Sequence, residues 1–282
     1  MTQPRPPEEA PVLRLDRNNQ DAWNFRSTAD GSGLPEGLNT LGLDQLRMSG
    51  SASLSSREQV GHLSRLWGPS FHVIDLREEP HAIVDNHAVG WIAGKNWANL
   101  GKSRADALDH EQRLIEELRG QTPTVHSAKD IKKKRPDPLK VTLDGHQAID
   151  EASFVKAAGG QYTRLMVSDH LRPRDEDVDQ FVAMARGLAE DTAVHFHCKG
   201  GRGRTTTFMI MFDMLRNARA VSADEILARQ AALEGRVDLA KTRGQVNPKQ
   251  AQVERLAFLE EFHAYAKANP EGRPRTWSEW LG

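Results

Sequence analysis

An α/β fold follows from three features of the 282-residue sequence. In its second half, short apolar runs alternate with amphipathic stretches of helical period, the pattern of a mainly parallel sheet flanked by helices. Apolar residues make up 38%, and the 22 glycines bring the total to the roughly 45–50% of globular chains, enough for a sizeable core. No repeat of fixed period breaks the alternation.

Residues 1–35 mix Pro, Gly, Asn and charge and read as an irregular lead-in, with 36–282 as the domain proper. SREQVGHLSRLW, from Ser56, has helical periodicity and runs into FHVIDL, a buried strand at 71–76. A loop-like stretch with Gly, Asn and Trp follows to about Ser103. Arg104–Leu118 spaces Ala107, Leu108, Leu114, Ile115 and Leu118 as one helix face, and Gly120 stops the helix. Residues 120–145 form a Pro- and Lys-rich insertion. Its charge run, 132–135, reads as a solvated loop, and 141–143 as an edge strand. A short helix at 150–158 ends at Gly159-Gly160, and 162–167 is a strand. Residues 175–189 form an amphipathic helix whose acidic first turn suits the helix dipole. Ala193–His197 is a strand and 205–217 a strongly apolar helix, with further helices at 223–233 and Pro248–Ala268.

Lys+Arg number 38 against 39 Asp+Glu, a net charge of −1. A nucleic-acid coat or membrane-surface protein carries a clear basic excess, so neither is expected. No run approaches the roughly 18 uncharged apolar residues of a membrane span. The opening MTQPRPPEEAPV lacks the apolar core of a signal peptide. As it stands the sequence reads as cytoplasmic, or as periplasmic or secreted if a leader has been removed. The single cysteine, Cys198, excludes an internal disulfide and any multi-cysteine metal site. No H-x-x-E-H or H-x3-H pairing occurs among the histidines, so neither metal nor cofactor is expected.

The chemistry concentrates in AVHFH-CKGGRGR-TTTFMIMFDML: a strand, a glycine-rich loop, then a helix. Strand C-termini in α/β sheets and helix N-termini are where anions bind. Gly200, Gly201 and Gly203 let successive N–H groups point inward as an anion nest. Cys198 opens this loop and Arg204 closes it, the arrangement for a phosphate held above a sulfur. Such donors favour a thiolate, and the planar fork of Arg204 can bind two phosphate oxygens. The Thr205 hydroxyl is placed to stabilise the thiolate as it leaves. Lys199 and Arg202 add positive charge, and Arg172 and Arg174 extend it, so a polyanion suits the pocket despite the neutral chain. A nucleotide loop, G-x-x-x-x-G-K-[ST], fails here at two of four defining positions. A buried inert cysteine in a tight turn is the plain alternative, and the glycines and Arg204 argue against it. Expelling an alkoxide from phosphate also needs a general acid. Asp169 follows a strand ahead of Cys198 and suits that role, though a helix-capping or turn residue would look the same. Its neighbour His170 either orients a phosphate or caps the turn.

HCKGGRGRT matches the H-C-x5-R-[ST] signature of the cysteine-dependent protein tyrosine phosphatase superfamily. Within it, the sequence resembles the bacterial protein-tyrosine-phosphatase-like inositol polyphosphatases, or cysteine phytases. The resemblance is carried by the RTTT end of the loop, by Ser168-Asp169-His170, and by NFR (24–26), MSGSASLS (48–55), DLREEPH (75–81), NWANLGKS (96–103), VSADEILARQ (221–230) and the closing WSEW (277–280). It implies a phosphatase-type, mostly parallel central sheet, with a small partial β-barrel in many members. It further implies stepwise hydrolysis of inositol polyphosphates, with Cys198 as nucleophile, Arg204 and the loop 199–203 holding phosphate, and Asp169 as acid. His197 would shape the cysteine's surroundings. Arg26, Arg77, His170, Lys241 and Lys249 would contact substrate. Lys199 departs from the glutamate frequent after the nucleophile. A protein tyrosine or dual-specificity phosphatase, or a catalytically silent phosphoinositide-binding module, would carry a similar loop.

Overall fold

The computed structural model describes residues 5–16, 23–29, 33–233, 239, 248–270 and 275–282, with the backbone alone at 248–252. In chain order it places Val12–Leu15 (β1), Arg26–Ser27 (β2), Met48–Ser51 (β3), Arg57–Trp67 (α1) and Phe71–Asp75 (β4). There follow His81–Val84 (β5), His87–Ile92 (β6), Arg104–Leu118 (α2), Thr124–His126 (β7), Ala128–Lys132 (α3) and Lys140–Thr142 (β8). Glu151–Ala157 (α4), Gln161–Arg164 (β9), Asp175–Gly187 (α5), Ala193–His197 (β10) and Gly203–Asn217 (α6) build the second half. Ala223–Ala232 (α7), Pro248–Ala268 (α8) and Trp277–Leu281 (α9) close it.

The main sheet has the order β2-β3-β10-β4-β9. Strand β10 is parallel to both β3 and β4, β9 is parallel to β4, and only the short β2 runs antiparallel. Every residue of β10 is buried, as a central parallel strand covered on both faces requires. Val194 and Phe196 face a large core with α5, α6 and α8. Ala193 faces the opposite core with α1 and α4. Because side chains alternate, His195 and His197 fall on the α1/α4 face beside Asp75. The expected α/β class and parallel sheet are therefore present.

A second sheet, β1-β6-β5, is antiparallel and shares a core with α2 and the β7–β8 pair through Leu15, Val89, Ile115, Leu118, Val125 and Leu143. Several sequence expectations are corrected by it. The stretch expected to be loop up to Ser103 contains the β5–β6 hairpin. Asp85 and Asn86 turn it with φ of 49° and 57°, the pair of positive values a tight hairpin turn needs. The lead-in supplies a strand to each sheet, β1 and β2. The charge run 132–135 is exposed, as expected, with only Lys132 in the short helix α3. The strand expected at 162–167 ends at Arg164, where the chain turns away toward Ser168. No helix among the described residues is long and apolar enough to cross a membrane.

The parallel strands bring three segments together at their C-terminal ends: 76–79 after β4, 165–170 after β9, and the loop 198–202 between β10 and α6.

Candidate active site

Cys198 follows β10 directly, with 4% of its surface exposed, and Thr205 Oγ donates to its sulfur at 3.2 Å. The loop beyond is held from outside by its carbonyls. Ser53 Oγ donates to Lys199 O (3.3 Å), Asn24 Nδ2 to Gly200 O (2.8 Å) and Arg26 Nη1 to Gly201 O (2.8 Å). In a trans peptide the N–H points opposite to the C=O, so these bonds turn the N–H groups of Gly200, Gly201 and Arg202 toward the loop's interior. Gly201 is required by sterics as well. Its φ is +65°, and a Cβ there would lie 2.3 Å from the Ala52 nitrogen. The loop ends at the N-terminus of α6, whose free N–H groups favour an anion.

Arg204 is 3% exposed and grips Glu79 with both ends of its fork, at 2.6 and 2.9 Å. Its Nη1 also donates to the carbonyls of Leu76 and Val167, joining the segments after β4 and β9. Burial works against its charge, but the Asp169 and Glu79 carboxylates raise its pKa well above the ordinary value. Its Nε is buried without a hydrogen-bond partner among the described residues. A buried donor left unpaired is costly, and an oxyanion in the loop would satisfy it.

Asp169 is positioned by NWANLGKS. Asn96 Nδ2 donates to its Oδ2 at 3.2 Å and Trp97 Nε1 to its carbonyl at 2.9 Å. Its Oδ1 lies 3.3 Å from Arg204 Nη2 and accepts from the His170 backbone N–H at 3.0 Å. His170 has φ +71°, and burial pushes its imidazole pKa down. Behind the segment, Ser168 Oγ donates to Glu78 at 2.6 Å.

Beneath the cysteine lies a buried charge network. His197 Nε2 is 3.0 Å from Glu151, and His81 Nε2 stands 3.1 Å from both Glu151 and Asp75. Burial opposes a charge on His81, yet neighbouring carboxylates, Asp75 foremost, raise its pKa to about 9. Asp75, His81 and Glu151 have the mutual spacing of metal ligands, within 4.8 Å. A protonated His81 between two carboxylates accounts for the same geometry without an ion. His195 bonds Ser49 and Ser51, and burial keeps it neutral.

The structure brings Cys198, the loop, Arg204, Thr205, Asp169 and His170 together, but the Arg204 fork, expected to bind two phosphate oxygens, is held at both ends by Glu79. Arg26 and Arg77, expected against substrate, are each 1% exposed and bonded to protein atoms. Arg26 braces Gly201 and Thr206 from beneath, and burial pushes its pKa down to about 10. Arg77 pairs with Asp16 and Glu79. Lys199 pairs with Asp16 at 2.7 Å, whereas Arg202 is exposed. Arg172 and Arg174 pair with Asp175 and Asp177 in the first turn of α5, so little of their charge is left for the pocket. Lys241 lies outside the described residues, as does the side chain of Lys249 on α8.

One basic residue that sequence reasoning missed joins the site, and one that it read as part of a solvated loop lies near it. Arg255 of α8 is 8% exposed, its Nη2 is 3.4 Å from the His170 carbonyl, and its guanidinium packs against Gly203. It has no ion pair with a carboxylate of the described residues, and its field reaches Asp169 and Cys198. Lys132 of α3 lies within electrostatic reach of His170. Both add positive charge on the His170 side of the loop.

The family model of the PTP-like phytases, described as inositol hexakisphosphate, matches residues 74–216. Over 98% of its length the chain is 37% identical to the effector protein hopD2 of Pseudomonas syringae pv. tomato, of which it spans 61%. Its fold is similar to that of the PTP-like myo-inositol phosphatase from Mitsuokella multacida, solved with myo-inositol-(1,3,4,5)-tetrakisphosphate. The TM-score is 0.85 at 29% identity, over all of this chain and 50% of that one. A PTP-like phytase from Bdellovibrio bacteriovorus is similar over its whole length, with a TM-score of 0.77, 34% identity and coverage of 100% and 98%.

Proposed function

The chain belongs to the PTP-like phytase family, and from that premise we propose that it removes phosphate stepwise from myo-inositol polyphosphates through a cysteinyl-phosphate intermediate. The observation that carries the reading is the donor set at the loop: inward N–H groups and the unpartnered Arg204 Nε, gathered beside Cys198. Those donors match a transferring phosphoryl group, whose charge spreads over its equatorial oxygens.

In the first step the Cys198 thiolate attacks phosphorus while the bond to the ring oxygen breaks. Asp169 gives its proton to that oxygen, leaving an alcohol and a phosphocysteine. In the second step Asp169, now a carboxylate, takes a proton from water as the water attacks phosphorus and the S–P bond breaks. Phosphate leaves and the thiolate returns, stabilised by the Thr205 hydroxyl at 3.2 Å. Asn96 and Trp97 hold Asp169 for both steps. Arg26 and Glu79 keep the loop and Arg204 in register.

The substrate class follows from charge. Arg255, beside the His170 carbonyl and without a carboxylate partner among the described residues, and Lys132 add positive charge on the His170 side of the loop, which suits a ring bearing several phosphates. The similar Mitsuokella enzyme, solved with an inositol tetrakisphosphate, supports the same reading. The test is phosphate release from phytate against release from a phosphotyrosine peptide at equal concentration. Preference for phytate supports the reading. Preference for the peptide replaces it with a protein phosphatase, and binding without release from either replaces it with a silent phosphoinositide-binding module.

A further inference from the structure

A chain of alternating charges runs from one end of the loop around to the other. Lys199 Nζ lies 2.7 Å from Asp16 Oδ1, an ion pair somewhat off the hydrogen-bond direction. Asp16 Oδ2 accepts from Arg77 Nη2 at 2.8 Å, and Arg77 Nε donates to Glu79 Oε1 at 3.1 Å. Glu79 in turn holds both ends of the Arg204 fork. The terminal members, Lys199 and Arg204, are both loop residues. The Lys199 side chain is 20% exposed, and the other four are at 0–1%.

Asp16 reaches this position because it follows β1 directly, its N–H bonded to Ala88 O at 2.9 Å. The second sheet thereby delivers a carboxylate to the front of a loop built on the first. Gly90 of β6 makes the space. A Cβ there would come within 3.0 Å of Arg77 Nη2 and 3.3 Å of both Asp16 oxygens. Glycine weakens a strand, and in strand interiors it often marks a close approach; here that approach is the buried ion pair. Burial alone would neutralise Asp16, but Lys199 and Arg77 hold it ionised.

We infer that Asp16 is a positioning residue for the loop: it ties Lys199 to the second sheet and, through Arg77 and Glu79, fixes the loop's two ends relative to each other. Lys199 is then spent on loop geometry and does not bind a substrate phosphate. The inference rests on the loop being the phosphatase site. It alters the expectation that a lysine after the cysteine serves as a ligand, and it gives β1 a part in the chemistry without touching substrate.

The test compares Asp16→Asn, Lys199→Met, their double variant and Asp16→Glu in the full chain, on phytate and on p-nitrophenyl phosphate. Residues acting as a unit are non-additive. Each single variant is expected to lower kcat about tenfold on both substrates with KM little changed, and the double to be no worse than either single. Asp16→Glu is expected to recover part of the loss. The opposite pattern overturns the proposal: Lys199→Met raising KM for phytate alone, Asp16→Asn lowering it by releasing the ammonium, or losses that add. If Asp16→Asn does not fold, Lys199→Met, on a partly exposed side chain, decides through the same split of kcat against KM. Inorganic phosphate protecting Cys198 from iodoacetamide reads the loop's anion site without turnover. Intact protection with no hydrolysis by the wild type strikes the phosphatase reading alone. Protection weakened in Lys199→Met but not in Asp16→Asn makes Lys199 a phosphate ligand and strikes the proposal.

Discussion

Arg204 Nη2 stands 3.3 Å from Asp169 Oδ1, so the arginine that closes the loop and the carboxylate that follows β9 already meet. A phosphate held in the loop by the unpartnered Arg204 Nε would lie on the side of the guanidinium that Asp169 approaches. That contact, with Asn96 bonding the Asp169 carboxylate and Trp97 its backbone carbonyl, is the ground for proposing Asp169 as the acid rather than Glu78, whose carboxyl accepts from Ser168.

Removing that acid should leave binding intact and slow both steps. Asp169→Asn is expected to lose about 10²–10⁴-fold in kcat on phytate, with KM little altered. Steady-state kinetics checks this, and a change of less than a few-fold would assign the proton to another group.

Arg255 tests the polyanion reading. A charged hydrogen bond is worth about 1.5–3 kcal/mol, so Arg255→Met should raise KM for phytate by about 10- to 100-fold. On p-nitrophenyl phosphate, with its single phosphate, the change should be small. Equal effects on both substrates would make Arg255 a support for the loop rather than a contact for a distant phosphate.

The network beneath Cys198 predicts a pH dependence of stability. Folding raises the His81 pKa from an ordinary 6.5 to about 9, overcoming burial with the help of Asp75 and other carboxylates. The stabilisation is therefore complete below pH 6.5 and is lost as pH rises through about 9. Urea midpoints measured from pH 6 to pH 10 should fall across that window, and His81→Gln should be less stable but flatter. A wild-type midpoint constant across it would contradict a charged His81.

Contiguous chemistry was the legible part. Cys198, the glycines, Arg204 and Thr205 stand in one run whose spacing alone implies an anion loop, and Asp169 is marked by its place after a strand. Helix α2 was equally plain, because its apolar stripe and Gly120 bound it at Arg104–Leu118. The β5–β6 hairpin carried a signal, Asp85-Asn86 between two apolar runs, but its histidines and glycine blur the alternation. The partners of the loop left no local trace. Asp16, Glu79 and Arg255 reach it from separate elements, and ion pairs between distant segments have no periodicity to read. The placement of Arg26 was illegible for a related reason. A motif marks an arginine as part of a site, whereas only the fold shows that it is buried and bonded to Gly201 O and Thr206 Oγ1.

The central claim is a covalent phosphate on the sulfur of Cys198, the only thiol in the chain. The direct measurement is rapid quench of the protein with phytate, followed by mass spectrometry of the peptide containing Cys198. The account predicts one phosphoryl group on that peptide during turnover, its accumulation in a variant slowed in the second step, and neither modification nor hydrolysis in Cys198→Ser. Phosphate release by Cys198→Ser at a rate near the wild type's, with no phosphopeptide at any time point, would contradict it.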